Sequence, residues 1–580
     1  MRLKVSRSKN SASLYVTKTV YEGKKEYTKT VEKLGTETEL RERLNGADPY
    51  EWAKEYIRKL NEEEKEQARK ILVPFEQSKI ISKDEQRSFN GGYLFLQKIY
   101  HELGIHKICK EISKRRKFDF DLNSILSRLI YGRFIFPSSK LATYQLSKKF
   151  IEQPNFDLHQ IYRALEVLAK ENDFIQSSLY ENSLKISKRN TGILFYDCTN
   201  YFFEIEQEEG NKQYGISKEH RPNPIVQMGL FMDGDGIPLA FSINRGNMNE
   251  QLTLKPLEKK ILSDFELSKF VVCTDAGLAS EENRKFNDKD GRAFITTQSI
   301  KKLKKHLKEW TLALDGWKLP GSDKTYDISK LDDAIEKATT ENAAKMRDKD
   351  FYKERWIKEN DFEQRLIVTY SIKHRDYQRK IRNSQIERAK DTIEKTPTKL
   401  KKCNQNDYKR FIKKTSCTSE GEIADKEIYS IDQAIIQKEE VFDGFYGVCT
   451  SLEDDVSEII KVNHRRWEIE ECFKIMKSEF KARPVYLSND DRIEAHFITC
   501  FISLIIYRLL EKKLEERFTC QDIISGLRDM ALYHVKGEGY IPTYTRTDFT
   551  DALHEAFGFR TDYQIVASNM MKKILKETKK

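Results

Sequence analysis

Three acidic residues occupy positions where a carboxylate is unusual or is surrounded by cations. Asp197 follows the apolar run ILFY, and Asp275 follows the apolar run FVVCT. Burying a charged carboxylate costs free energy unless a cation compensates it. Glu470 lies among basic residues in NHRRWEIEECFKIMK, residues 463–477. If the three carboxylates met they would repel one another, and divalent metal ions would be needed to hold them together.

Two metal ions held by carboxylates are suited to phosphodiester chemistry. One ion activates water or a 3′-hydroxyl, and the other stabilises the leaving oxygen. If the phosphodiester substrate is DNA, lysine and arginine side chains beside the third carboxylate would bind its phosphates. The sequence offers no Ser-His-Asp candidate and no glycine-rich phosphate loop as a competing site.

Helical geometry distinguishes Glu470 from the two other glutamates of the 463–477 segment. At about 100° per residue, one face of a continuous helix is apolar and is predicted to be buried; it consists of Ile469, Cys472, Phe473, Met476 and Phe480. A polar stripe beside it consists of Asn463, Arg466, Glu470 and Lys477. Glu468 and Glu471 point to the far sides of the helix, where we expect solvent.

Each acidic residue also has a purely structural interpretation. Asp197 could be a turn residue, and Asp275 could cap a helix that begins at LASEEN. Glu470 could form an ordinary i,i+4 surface pair with Arg466, which stabilises a helix only slightly. Taken one at a time, the residues leave these alternatives open.

The segments that carry the two aspartates predict an α/β core. GILFYDCTNYFFEI and IVQMGLFMDGDGIPLAFSI are typical of strands, with DGDG as a hairpin turn. LKPLEKKIL predicts a helix, and KFVVCTDAG and EVFDGFYGVCTSL predict further core strands. Strands followed by a helix and another strand indicate an α/β unit around a mixed sheet.

The rest of the chain divides by pattern. LYVTKTVYE, the turn GKK and EYTKTVEKLG predict a hairpin, and a charged helix follows from about 48 to 85. Residues 90–187 are mostly helical, and their short basic helices fit either a helix-turn-helix-like DNA reader or a plain helical domain. Residues 300–440 resemble an insertion, with the helix KKLKKHLKEW, the strand LIVTYSIKH and a charged helix from about 376 to 401.

Composition restricts the class of protein. At 580 residues the chain is too long for one ordinary core. A net charge of +11 does not by itself establish a polyanionic partner, although clustered lysines and arginines would attract one. Nine unclustered cysteines suit a reducing cytoplasm and argue against disulfides or structural zinc.

No membrane-targeting segment is expected. The basic N-terminus MRLKVSRSKN is not followed by an apolar stretch, so it does not predict a secretory signal. The longest apolar run, FITCFISLIIY at 497–507, is too short to span a bilayer and predicts a buried helix. We therefore expect an intracellular protein that does not associate with membranes.

The ordered set of motifs resembles the YREK, or insertion-sequence-four-like, group of bacterial DDE transposases. Proteins of that group carry two aspartates on strands and a helix with the motif Y-x-x-R-x-x-x-E-x-x-x-x-x-x-K. In this chain Arg466, Glu470 and Lys477 match the last three positions of the motif. Asn463 stands where the motif has tyrosine, unless that position is shifted to His464. DCT at 197–199 resembles the first acidic motif and TDAG at 274–277 the second. YGISKEHRPN, the KNSASLYV…VEKLG start and DGFYGVCTSL extend the likeness over most of the chain.

The resemblance implies a ribonuclease-H-like catalytic core, α/β in class, with a largely β insertion between Asp275 and Glu470. It implies metal-dependent cleavage and strand transfer at the terminal inverted repeats of an insertion sequence, by a cut-and-paste route through hairpin ends. Double-stranded DNA, both ends and target, would be the partner, and a homodimer would pair the two ends. A cytoplasmic, nucleoid-associated location follows from this role.

The resemblance also assigns roles to residues. Asp197, Asp275 and Glu470 would be the catalytic residues and would ligate two Mg²⁺ ions, which Mn²⁺ could replace. The proposed DNA-binding residues are Arg466, Lys477, Asn463, His220 and Arg221. Asparagine can donate to a phosphate but cannot stack on a base, so Asn463 is a departure that affects binding of the DNA end. Trp310 and Trp317 are candidates for base stacking only because they lie in the insertion.

The predicted organisation has seven regions. These are a β-rich DNA-binding region (1–47), a charged linker helix (48–89), a helical DNA-binding domain (90–187), the first part of the core (188–300), the insertion (301–440), the second part of the core (441–520) and a C-terminal helical region (521–580).

Three other functions are compatible with parts of the pattern. A ribonuclease-H-like nuclease without end specificity would share the fold. A non-catalytic DNA-binding protein derived from a transposase would fit the Asn463 departure. An RNA-guided accessory protein has only the basic patches in its favour.

Overall fold

The computed structural model divides the chain into two units: residues 1–85 with 535–538, and residues 86–534 with 539–580. It describes residues 1–8, 11–22, 25–67, 70–73, 75–336, 339–395, 406–417 and 423–580. The first unit has a small core of its own, and the second unit contains the large core and all the predicted site residues.

An antiparallel sheet of order β1-β2-β3 and two helices form the N-terminal unit. The elements are β1 (Arg2–Arg7), β2 (Ala12–Glu22), β3 (Lys25–Thr36), α1 (Glu37–Arg43) and α2 (Pro49–Gln67). The predicted hairpin is confirmed in β2 and β3, while residues 23–24 of its turn lie outside the described residues. Leu14 and Val16 of β2 share a core with Ile57 of α2. The charged helix predicted from about 48 to 85 is shorter than expected, because residues 70–73 and 75–87 are not helical, and α2 buries an apolar face against the sheet.

Six helices follow the short strand β4 (Ser88–Asn90). They are α3 (Tyr93–Glu102), α4 (Ile105–Arg115), α5 (Leu122–Ile135), α6 (Lys140–Ser147), α7 (Leu158–Lys170) and α8 (Asn172–Ser183). Side-chain caps fix some of their starts: Asp121 accepts a hydrogen bond from the Ser124 N–H at α5, and Ser139 accepts one from the Ala142 N–H at α6.

The central sheet begins with five strands and two helices. They are β5 (Ile193–Phe202), β6 (Ile225–Asp233), β7 (Pro238–Arg245), α9 (Leu254–Asp264), β8 (Val271–Thr274), α10 (Glu281–Phe286) and β9 (Ala293–Gln298). β5, β6 and β7 pair antiparallel, whereas β8 pairs parallel with both β5 and β9. The spatial order third–second–first–fourth–fifth is that of a ribonuclease-H-like sheet. The predicted mixed α/β core is confirmed.

The insertion continues this sheet. Its elements are α11 (Lys305–Leu312), β10 (Trp317–Leu319), β11 (Ser322–Tyr326), α12 (Leu331–Glu336), α13 (Thr340–Arg347), β12 (Asp350–Glu359), β13 (Phe362–Ser371), α14 (Ile372–Lys395), β14 (Ile412–Cys417), β15 (Ile423–Ile431) and α15 (Gln433–Glu440). β16 (Phe445–Thr450) pairs with β9, and β13, β12, β10 and β11 follow in that order. The described part of the insertion is therefore mixed, with strands that extend the core sheet and several helices. The predicted charged helix is α14, and its last predicted residues, 396–401, lie outside the described residues.

The chain ends with helices and three short strands. They are α16 (Val456–His464), α17 (Trp467–Lys474), α18 (Asp490–Lys513), α19 (Cys520–Asp529), β17 (Ala531–Val535), β18 (Gly539–Pro542), α20 (Asp548–Phe557), β19 (Val566–Ala567) and α21 (Ser568–Glu577). The continuous helix expected over 463–477 is wrong. α16 ends at His464, α17 begins at Trp467, and a π-helical turn covers Ile475–Glu479.

The apolar run at 497–507 lies inside α18, which has 24 residues. By length and composition this helix could cross a membrane, but 94% of its most apolar window is buried inside the protein. It packs against α3, α5, α7 and β7, so the helices of residues 93–183 share one core with the central sheet. The predicted buried helix is confirmed.

A buried ion pair joins the segment before β5 to the hairpin between β6 and β7. Arg189 Nε donates to Asp233 Oδ2 at 2.6 Å, and both side chains are almost completely buried. The Arg189 guanidinium also donates to the carbonyls of Ile237 and Pro238. We expect Asp233→Asn to lower the free energy of unfolding by roughly 3–5 kcal/mol, because a buried guanidinium then lacks its counter-charge.

Urea unfolding of the full chain would measure this loss. The matched control is Asp173→Asn, since Asp173 pairs with Lys260 at 2.7 Å in an exposed position; it should cost less than about 1 kcal/mol. Equal losses in the two variants would contradict the prediction.

Candidate active site

Asp197 and Asp275 lie beside each other on neighbouring parallel strands. Tyr196 of β5 is in register with Thr274 of β8, so Asp197 is the next residue along β5 and Asp275 is the first residue after β8. The negative charge of Asp275 is one of the influences that raise the pKa of Asp197. The pairing of the two strands therefore brings together the two carboxylates that the sequence singled out.

Asp197 is a half-buried carboxylate in the middle of a strand. Its Oδ1 accepts a hydrogen bond of 2.8 Å from the Cys198 N–H. Burial raises the pKa of Asp197 to about 6, although nearby Lys218 and Arg466 favour the charged form. A carboxylate held at such a cost is suited to binding a cation.

Arg466 reaches the aspartates from the start of α17. Its Nη2 lies 3.3 Å from Asp275 Oδ1, and its Nη1 donates to Thr297 Oγ1 at 2.8 Å. Only 12% of the Arg466 side chain is exposed. In the part of the chain that the structure describes, Arg466 forms no ion pair with Glu470. The surface-pair interpretation of these two residues therefore does not hold.

Lys477 reaches the same region from the π-helical turn. Its Nζ donates to Thr199 Oγ1 at 2.6 Å, and Thr199 lies two residues after Asp197 on the same face of β5. Nζ is also 3.8 Å from Glu219. Burial, assisted by the charge of Lys218, lowers the pKa of Lys477 to about 8. Lys477 remains mostly protonated at neutral pH and can accompany a negative charge.

Glu470 differs from its two neighbours on α17. It is exposed and has no hydrogen bond or ion pair among the described residues. Glu468 pairs with Arg465 at 2.8 Å, and Glu471 pairs with the buried Arg508 at 2.9 Å. The expectation that both neighbours are simply solvated is wrong, because partners in the turn before α17 and on α18 reach them. Glu470 alone keeps an unpaired carboxylate on this helix.

Asn463 lies in the interior. Its side chain is 3% exposed, and its Nδ2 donates to the Tyr446 hydroxyl at 3.0 Å. That hydroxyl shares a hydrogen bond of 2.8 Å with Thr297 Oγ1, which also accepts from Arg466. Asn463 thus belongs to a hydrogen-bonded chain that leads to Arg466, and it does not lie on a surface where DNA could bind it directly.

The loop between β5 and β6 carries His220 and Arg221, which are both exposed. His220 has a left-handed backbone, with φ of 56°, and the Arg221 guanidinium lies over the Phe202 ring at 4.2 Å. Neither residue is placed against the two aspartates by any described contact. Their DNA contacts stay predictions.

Sequence reasoning missed Lys218 in the same loop. Its Nζ donates to the Cys198 carbonyl and lies 3.2 Å from Glu250. Burial alone would lower the pKa of Lys218, but Asp197 and Glu250 raise it above its ordinary value. Nothing in the pattern YGISKEHRPN distinguishes Lys218 from its neighbours, since the loop has no periodicity that shows which side chain turns inward.

The two tryptophans suggested for base stacking differ in their exposure. Trp317 is fully buried against Tyr370 and Phe445, so it serves the core and is not available to a base. Trp310 is half-buried. Trp356 on β12 and Trp467 on α17 are instead exposed, by 44% and 58%.

The donor set fits a divalent cation in part. Asp197 and Asp275 are adjacent hard oxygen donors, and the high pKa of Asp197 shows that the carboxylate lacks full compensation. Yet the described residues contain no group of three or more His, Cys, Asp or Glu side chains placed to hold a metal ion. α17, which carries Glu470, packs against β5, which carries Asp197. Among the described residues, Glu470 nevertheless does not complete a cluster of three carboxylates with Asp197 and Asp275.

Residues 368–506 match the family model described as a transposase DDE domain. The match runs from β13 into α18; it includes Glu470 and neither aspartate. No curated protein matches the chain. A cryo-EM structure of the piggyBac transposase synaptic complex with hairpin DNA is similar, with 7% identity and a TM-score of 0.35, and the match covers 85% of this chain and 88% of that one. The domain match supports a transposase of the DDE class.

Asp197 should make stability depend on pH in a defined direction. Its folded pKa of about 6 lies above the ordinary value, so the folded state retains a proton that the unfolded chain loses between pH 4 and 6. As the pH rises from 4 to 6, the free energy of unfolding of wild type should therefore fall relative to that of Asp197→Asn. Above pH 6, Asp197→Asn should be the more stable protein by on the order of 2 kcal/mol. Thermal melts in EDTA from pH 4 to 8 would measure the difference; a difference that does not change with pH would contradict the assignment.

Proposed function

We propose that the protein is a YREK-group transposase that binds the terminal inverted repeats of its insertion sequence and catalyses cut-and-paste transposition. The observation that carries the proposal is the strand pairing that places Asp197 beside Asp275, with Arg466 contacting Asp275 and Lys477 contacting Thr199 from the helical segment that bears Glu470. The domain match supports transposase activity in general. Cleavage through hairpin ends, a homodimer that pairs the ends, and a cytoplasmic, nucleoid-associated location complete the proposal.

Asp197, Asp275 and Glu470 are the proposed ligands of two Mg²⁺ ions, which Mn²⁺ could replace. The bound ions would activate a water or 3′-hydroxyl and stabilise the leaving oxygen. Arg466 orients Asp275 through its 3.3 Å contact. Lys477, beside Thr199, supplies a positive charge for a phosphate next to the cleaved bond.

Two observations favour a second function. The described residues contain no three-carboxylate group, and Asn463 is buried. Both features fit a non-catalytic DNA-binding protein derived from a transposase. Such a protein would bind the element ends without cutting them, so a cleavage assay separates the two functions.

Glu470→Gln tests the catalytic assignment. With full-length protein, Mg²⁺ and duplexes from the two boundaries of the proposed insertion sequence, it should reduce strand cleavage by more than about 100-fold while leaving DNA binding unchanged, because a proposed metal ligand is lost and no buried contact is broken. Gel analysis of end-labelled DNA measures cleavage, and anisotropy measures binding.

The control is Glu468→Gln, on the same helix but paired with Arg465. It should cleave nearly as wild type does. Full activity of Glu470→Gln would sink the assignment. Specific binding without any cleavage by wild type would identify the non-catalytic protein, and cleavage of any DNA regardless of its ends would identify a nuclease.

Metal binding can be tested without DNA. Mg²⁺ at 10 mM, about the millimolar range in which weak carboxylate sites fill, should raise the Tm of wild type, because a ligand that binds only the folded state stabilises it. Asp197→Asn and Asp275→Asn should each lose most of that rise. Identical Mg²⁺-dependent rises in all three proteins would show that the ions bind elsewhere.

A further inference from the structure

A basic cavity of about 430 Å³ lies between the first turn of α6 and the segment after the π-helical turn. Ser138 and Ser139 form part of one wall, and Pro484 and Tyr486 form part of the other. Its basic lining residues are Arg133, Lys140, Lys481 and Arg483. None of the described residues that line it is acidic. The cavity lining therefore carries basic groups on several sides, and of these Arg483 is paired with a carboxylate outside the lining, that of Glu219.

Lys140 is the most unusual of these residues. It is 5% exposed, and its Nζ is buried without a hydrogen-bond partner in the described part of the chain. Burial, together with the nearby Arg133, holds the pKa of Lys140 well below its ordinary value. A buried ammonium group without a partner is costly, so its charge would be stabilised by an anion in the cavity.

The groups around Lys140 do not supply that anion. Arg133, 4% exposed, donates to the carbonyls of Phe480 and Ser138, which are neutral. His496 Nε2 lies 3.0 Å from the Ala482 carbonyl. Cys500 is buried, which raises its thiol pKa and keeps it uncharged. The nearest described side chains thus leave the cavity electropositive.

The cavity is connected to the candidate active site by contacts. Arg483 lines the cavity and forms an ion pair with Glu219, which also lies 3.8 Å from Lys477 Nζ. Lys477 in turn donates to Thr199, two residues after Asp197. Basic groups therefore lie on both sides of Glu219 between the aspartates and the cavity, and basic groups spaced along a surface are expected where a protein follows a nucleic-acid backbone.

We propose that this cavity binds a phosphate group of the DNA backbone, close to the cleaved end. Ser139, Lys140 and Leu141, at the start of α6, line the cavity, and the N-terminal end of a helix favours negative charge. Tyr486 at the rim is 62% exposed and offers a ring for the attached base. This ring favours a phosphate within a DNA strand over a free phosphate ion. The inference rests on the proposed function in that the DNA is the element end.

Lys140→Met tests the site in the full-length protein. In EDTA, so that no cleavage occurs, binding to a duplex from the element end is measured by anisotropy over a range of salt concentrations. The slope of log Kobs against log salt should become shallower by about one, and binding should weaken roughly tenfold, because one phosphate contact is lost. Replacing single phosphates by neutral methylphosphonates should reveal one position that weakens wild type and leaves Lys140→Met unchanged.

Two further variants keep the test decisive. Lys481→Gln removes an exposed cavity lysine, so it should fold even if Lys140→Met does not, and it should show a smaller loss at the same methylphosphonate position. Lys110→Met, on the exposed side of α4, removes one charge away from the cavity and should leave that position unchanged.

The outcomes separate the possible ligands. If millimolar inorganic phosphate raises the Tm of wild type and not of Lys140→Met, while no methylphosphonate position depends on Lys140, the cavity holds free phosphate and the DNA assignment is overturned. If neither probe distinguishes the variants, the site itself is overturned. Because these measurements need no metal or cleavage, they fail independently of the Glu470→Gln experiment.

Discussion

The parallel pairing of β5 with β8 places the carboxylates of Asp197 and Asp275 side by side. The residues around the candidate active site are arranged so that cations lie close to these two negative charges. Asp197 and Asp275 repel each other, and burial adds to the cost of ionising Asp197. Arg466, at the start of α17, and Lys218, in the loop after β5, place positive charge beside the two carboxylates. Two carboxylates and the cations that offset their charge therefore form one charged cluster around the ends of these two strands.

The interruptions in the helical segment 463–477 allow Arg466 and Lys477 to contact different residues of the candidate active site. A straight helix over 463–477 would put Arg466, Glu470 and Lys477 on a single stripe, but the turn before α17 and the π-helical turn after it separate their directions. Arg466 then contacts Asp275, Lys477 contacts Thr199, and Glu470 remains exposed. π-helical turns of this kind often accompany functional sites, because they redirect a side chain without ending the helix.

The buried helix α18 supports both the site and the cavity. It packs on β7 and on the helices α3, α5 and α7, so the helical region and the sheet form one core. His496 of this helix lines the cavity, and Arg508 binds Glu471 on α17. The position of α17 relative to the sheet therefore depends on a core to which residues distant in sequence contribute. Substitutions in the buried part of α18 would therefore shift the position of Glu470.

The sequence by itself determined the strand that contains Asp197, the strand that ends just before Asp275, the hairpin of β6 and β7 and the apolar helix α18; its choice of Glu470 among three glutamates stays a prediction. Each follows from local periodicity, from turn residues or from the cost of burying a charge. Only the tertiary structure decided which loop lysine faces Asp197, why Asn463 is buried and that Trp317 belongs to the core. It also placed the unpaired Lys140 in a cavity beside Arg483. These facts depend on contacts between residues far apart in the chain, and no local pattern records such contacts.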